Sequence, residues 1–184
     1  MNWRKLMALA TLCILSQPVI GQEKSDKKAD PAKAEMLEIG KGKVVIQKPA
    51  SWKTMPPGMM VDNEFRTPAE GEKYVRITIS QATGGVEANV TRWINQFEGA
   101  TKENSKVEKK VVDQTTVHMV EVSGTMVPMS PRPGVKKEPD YKMLGAILEL
   151  KDGATIFVKA TGPKDLIAEM RDTFVKMIDG LKNK

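Results

Sequence analysis

The chain of 184 residues carries 29 lysines and arginines against 23 acids, a formal net charge of +6, with one cysteine and one histidine. A single cysteine excludes an internal disulfide and a multi-thiolate metal centre, and a single histidine leaves room for at most one His-based catalytic set. The length suits one domain able to bury its own core.

Residues 1–21 read as a secretory signal. Arg4 and Lys5 form a basic start, residues 6–15 form an apolar run too short to span a bilayer, and Val19-Ile20-Gly21 supplies compact residues before Gln22, where cleavage is expected. Cleavage removes Cys13; the bulky Leu12 before it suits lipid attachment poorly. The mature protein is therefore expected outside the cytoplasm, periplasmic or extracellular. It should have no membrane span, no nucleic-acid partner and no cofactor. Residues 22–35 are charged, lack aromatic and β-branched residues and contain Pro31, the composition of a solvated tether. Residues 36–184 form the folded domain.

Within it, residues 36–39 and 43–48 read as two strands of a hairpin turned at Gly40-Lys41-Gly42. Pro49-Ala50-Ser51-Trp52 closes the second, and Met55-Pro56-Pro57-Gly58 is a further turn. A strand over 59–66 is expected to alternate Met59, Val61 and Phe65 against Met60, Asp62 and Arg66. After a turn at 68–71, Val75, Ile77 and Ile79 point inward while Tyr74, Arg76 and Thr78 point outward.

Residues 84–99 carry Val86, Val90, Trp93, Ile94 and Phe97 at helical spacing, a single apolar face, with Gly99 as the stop. Strands over 107–113 (lysine-flanked, near an edge) and 116–127 follow. Residues 128–140 read as a proline-rich loop. Residues 142–150 are apolar on both faces and so belong at the centre of the sheet. Lys151-Asp152-Gly153 turns the chain into a strand over 154–161. Gly162-Pro163 then opens a last helix striped by Leu166, Ile167, Met170, Phe174, Met177, Ile178 and Leu181, with Lys182 and Lys184 at its C-terminal end. Strands, helix, strands, helix is an α+β order: an antiparallel sheet of about seven or eight strands with helices packed on it.

The combination of Pro49-x-x-Trp52, VEANVTRWINQF, YKMLGAIL and FVKATGP before a terminal helix resembles uncharacterised exported bacterial proteins of planctomycete type. Their architecture looks like the Mog/PsbP-like α/β/α sandwich. The resemblance spans about residues 37–182. It implies that fold and action through protein–protein contacts, and it implies no catalytic residues.

The residues themselves offer little chemistry. His118 falls in phase with Val120 and Val122, the position of a core or rim residue, with a general base as the alternative. Gly84-Gly85 lacks the spacing and lysine of a phosphate loop, and the Asn89-Val90-Thr91 sequon lies inside a helix. Trp93 is expected to be a core anchor. Methionines 55, 59, 60, 119, 126 and 129 fill gaps in a core or line an adaptable apolar pocket. The expected function is a non-catalytic exported protein binding an envelope protein or an anionic surface polymer. The alternatives are a carrier of an apolar ligand and a hydrolase centred on His118. The contact surface is expected on the 128–140 loop, through Arg132, Lys136, Lys137 and Met129, with prolines limiting the entropy lost on docking.

Overall fold

The computed structural model describes residues 35–68, 70–128 and 136–184. The expected signal, its cleavage point, the tether up to residue 34, and Met129 and Arg132 of the loop lie outside these residues.

The elements are β1 (Glu35–Ile39), β2 (Val44–Lys48), β3 (Lys53–Met55), β4 (Asn63–Thr67), β5 (Val75–Gln81), α1 (Val86–Ile94), β6 (Phe97–Glu98), β7 (Lys106–Val112), β8 (Thr115–Met126), β9 (Glu138–Glu149), β10 (Thr155–Pro163), α2 (Lys164–Asp179) and β11 (Lys182–Asn183). Eight strands form one antiparallel sheet in the order β3-β4-β5-β10-β9-β8, with β6 and β7 both paired to the outer edge of β8. The strand count and the α+β class match the sequence reading. A second, three-stranded sheet, β1-β2-β11, was not expected as a separate unit.

Alternation along the strands sorts the core into two layers. Val75, Ile77, Ile79, Val117, Leu144, Leu148, Ile156 and Val158 face α2 and the small sheet, where Ile167, Phe174, Ile178, Leu181, Val44 and Ile46 complete one buried cluster. Val120, Val122, Met143, Ile147 and Phe157 face the opposite way and are covered by Val90, Trp93 and Ile94 of α1 and by Phe97. The domain is thus an α/β/α sandwich. β9 runs between β10 and β8 and feeds both clusters, which explains its apolar character on both faces.

Several local expectations change. The apolar period ran Phe97 into the helix, but α1 ends at Ile94 with Asn95 as its C-cap, and Phe97 pairs with Met126 as a short strand. β4 starts only at Asn63; Met59 and Met60 sit in the preceding turn, 91% and 87% exposed. Pro57-Gly58 ends the extended run, and Met60 takes a left-handed φ of 62°, which no continuing strand accommodates. Proline 163 is the N-cap of α2 and the last residue of β10, so strand runs into helix without a loop. The helix ends at Asp179, and Lys182 lies in β11 rather than in the helix. β1 also takes in Glu35, the last residue assigned to the tether, and β9 absorbs residues 138–140 of the expected loop.

Polar links tie the layers together. Glu121 on β8 accepts from Lys142 Nζ of β9 at 2.7 Å and from Arg171 of α2 at 2.8 and 2.9 Å. Asn183 of β11 donates its backbone N–H to Asp113 at 2.7 Å, and its side-chain oxygen accepts the buried Thr115 hydroxyl at 3.0 Å.

Candidate functional site

α1 is short and covers only part of its face of the sheet. Beyond it the outward residues of β5 and β10 floor an open groove of about 1050 Å³. Arg76 and Thr78 come from β5 and Lys159 and Thr161 from β10, the same alternation that turns Ile77 and Val158 to the opposite core. Tyr141 and residues 138–140 of β9 form one wall with residues 126–128 at the end of β8. Residues 72–74 and 163–165 form the other.

Trp93 packs beside the floor residue Lys159. Its six-membered ring lies directly on Gly145 of β9, where a side-chain carbon would stand 2.3 Å from Cζ3. Glycine is therefore required by the close approach of an aromatic ring, not by backbone conformation. Phe157 meets the indole edge-on at 5.9 Å and 75°. Trp93 is thus the expected core anchor, only 3% exposed.

Lys159 sits between Gly145 and Thr78 in the sheet register. Its ammonium lies 6.0 Å from the Trp93 ring centre and donates to Gln96 Oε1. No carboxylate among the described residues forms an ion pair with it. Desolvation, with Arg76 and Arg92 adding like charge, pulls this lysine down to about 8. Arg76 itself is held by a two-point pair to Glu64 at 2.6 and 2.7 Å. That hydrogen bond is the main reason the Glu64 carboxyl lies below its ordinary value. At the wall, burial, with Glu138 and Tyr74 nearby, raises the Tyr141 phenol.

The residues singled out from sequence are dispersed. Lys136 is exposed, and Lys137 is paired with Glu98; neither lines the groove, although the ends of their loop do. His118 lies on the α1 face of the sheet, away from the groove, with Nε2 2.7 Å from Glu149 Oε2. The hydrolase reading asked for an acid beside His118, and one is there; the groove, however, is lined by other residues. The methionines do not gather: Met59 and Met60 are exposed, Met119 is in the α2-side core, and Met126 lines the groove. The groove is open to solvent and carries eight charged side chains, unlike the enclosed apolar cavity expected of a carrier. Among the described residues no three His, Asp or Glu side chains gather as a metal site, and no helix is long and apolar enough to cross a membrane.

Two residues that the sequence reading passed over hold the site. Lys159 lies in the strand expected over 154–161, where no residue was singled out. Asn89 looked like an incidental sequon, yet it is 2% exposed and donates to the carbonyls of Gly84 and Gly85 at 3.1 and 3.0 Å, pinning the entry to α1. It also accepts from Arg92. The signal for Asn89 was its place in the first turn after a Gly-Gly pair, where Asn side chains bond local backbone.

No protein-family model and no curated protein sequence matches the chain. Among solved structures, the cyanobacterial PsbP protein CyanoP from Synechocystis sp. PCC 6803 is similar over 89% of this chain and 100% of its own, with TM-score 0.55 and 14% identity. LpqN of Mycobacterium tuberculosis, described as involved in cell envelope biogenesis, is similar over 82% of this chain and 90% of its own, with TM-score 0.51 and 12% identity. At these identities the likeness is one of fold, and the fold of this chain is PsbP-like.

Proposed function

We propose that this protein is a non-catalytic, exported binding protein of the cell envelope, and that its contact surface is the groove over β5 and β10. The observation that carries the reading is the bare half of the sheet. A sandwich with α2 across one face leaves the other only partly covered, and the uncovered part is a concave, mixed-polarity surface with tyrosines on its walls. Aromatic and charged groups around a concavity are what recognition surfaces use. The envelope setting draws support from the signal-like residues 1–21 and from LpqN, a protein of similar fold with an envelope role. The described ends of the 128–140 loop, Pro128 and residues 138–140, line the groove.

The test is photo-crosslinking in living cells from two exposed positions, Lys73 on the groove wall and Glu169 on α2. Adducts from Lys73 and not from Glu169 support the reading. Equal adducts from both, or none from Lys73, refute it.

A further inference from the structure

Resting on that reading, we propose that the groove takes a ligand bearing a single carboxylate, whose charge is received by the Lys159 ammonium on the groove floor. The ammonium has three donors and uses one on Gln96. Arg92 lies near it, Arg76 is already paired with Glu64, and no acid among the described residues forms an ion pair with Lys159, so its ammonium is a half-buried cationic spot without a carboxylate partner. Such a spot gains most from an anion that displaces water from it. The wall decides how much negative charge is admitted. Glu72, Glu138, Asp140 and Asp165 line the same groove. They match the lining cations in number, so a polyanion meets repulsion along its length while a lone carboxylate reaching the floor does not. The tyrosines at 74 and 141 provide apolar faces for the neutral remainder of the ligand.

A peptide C-terminus carries one such carboxylate, whereas a uronic polymer repeats its charge along the acidic wall; the occupant is therefore a peptide C-terminus, and paired probes test it against a uronic sugar. The full chain is titrated by NMR, observing the Lys159 side-chain ammonium and the backbone amides of β10, with N-acetyl-dialanine against its C-terminal amide and with methyl glucuronoside against methyl glucoside. The expected result is saturable perturbation of Lys159 at millimolar concentration by N-acetyl-dialanine and not by its amide or by either sugar. Perturbation by the glucuronoside alone overturns the peptide assignment. Lys159→Gln should weaken that binding on the order of 10- to 100-fold, and Lys159→Arg should retain most of it. Should Lys159→Gln fail to fold, Thr161→Trp, which fills the groove beside the lysine, takes its place. Acid and neutral forms acting alike, or neither acting up to about 50 mM, overturns the assignment. Such a result with groove crosslinks intact removes the carboxylate anchor and leaves the groove as the contact surface.

Discussion

Gly145→Ala is the sharpest probe of the packing of Trp93 on the sheet. The added methyl would lie 2.3, 2.9 and 3.1 Å from three atoms of the Trp93 ring. Carbon atoms pack at about 3.5–4.0 Å, so the ring must withdraw by roughly 1 Å or tilt. It has nowhere free to go, with Phe157 against its edge and β9 beneath it. The backbone at Gly145 has no positive φ, so alanine itself is tolerated and the penalty is steric. Overpacking costs about 1–3 kcal/mol. Three contacts inside ordinary distance place this one near about 3 kcal/mol, or a loss of roughly 6–12 °C in Tm for a domain of this size. Urea unfolding followed by far-UV circular dichroism reads the midpoint at constant m. In a Trp93→Leu background the obstacle is gone, and Gly145→Ala should cost under about 1 kcal/mol, a coupling of about 2 kcal/mol or more. An unchanged midpoint for the single variant, or the same loss in both backgrounds, would show that the indole does not rest on Gly145.

Lys159 gives a pH signature. Its folded value of about 8 lies below the ordinary 10.5, so between these pH values the unfolded chain holds the extra proton. Stability therefore rises from pH 8 to pH 10.5 by at most about 3 kcal/mol, nearer 1–2 once residual solvent contact is allowed for. The difference between wild type and Lys159→Met in urea midpoint should change over that window and be flat outside it. Glu121→Gln should cost about 2 kcal/mol, less than for a fully buried pair because Arg171 keeps solvent contact. Burial pushes the Glu121 carboxyl up, but hydrogen bonds from Lys142 and Arg171 outweigh it and hold it below 4.5. The stabilisation is thus present above pH 4.5 and lost as pH falls through the lowered folded value, which acid titration of the variant and the wild type reads directly. Asn183→Ala should cost about 1–3 kcal/mol by chemical denaturation, since it leaves the buried Thr115 hydroxyl without its partner. His118→Ala should change stability by under about 1 kcal/mol, because its partner Glu149 is partly solvated; loss of a defined activity with folding intact would instead favour the hydrolase reading.

What could be read from the sequence followed the strength of its periodicities. The period-two alternation at Val75, Ile77 and Ile79 and the two-faced apolar run of β9 placed the sheet and its centre correctly. These patterns arise from burial against a core, which leaves a mark on every second residue. Phe97 shows the limit: an apolar residue at helical spacing after a helix end is indistinguishable from one more turn of that helix. β11 is two polar residues held by backbone pairing and carries no hydrophobic mark at all. The groove was legible only in half. Alternation put Arg76 and Thr78 outward, but the strand over 154–161 carried no face assignment, and which part of the sheet α1 leaves bare depends on helix length and crossing position. Lysine in a strand reads as solvated until the neighbouring indole is seen.

The small sheet has a consequence for the order in which this protein assembles. Lys182 and Asn183 pair with Val45 and Val44, and the Lys184 N–H reaches the Lys43 carbonyl at 2.9 Å. The first hairpin is thus completed by residues made almost an entire domain later. A chain delivered from its N-terminal end would present β1 and β2 early, with Val44 and Ile46 lacking both α2 and their third strand. Long-range closures of this kind slow folding and keep apolar strand edges available to other chains. The hairpin should be the last region to gain hydrogen-exchange protection during refolding. In a chain that crosses a membrane unfolded, it would be the segment most dependent on a holding chaperone.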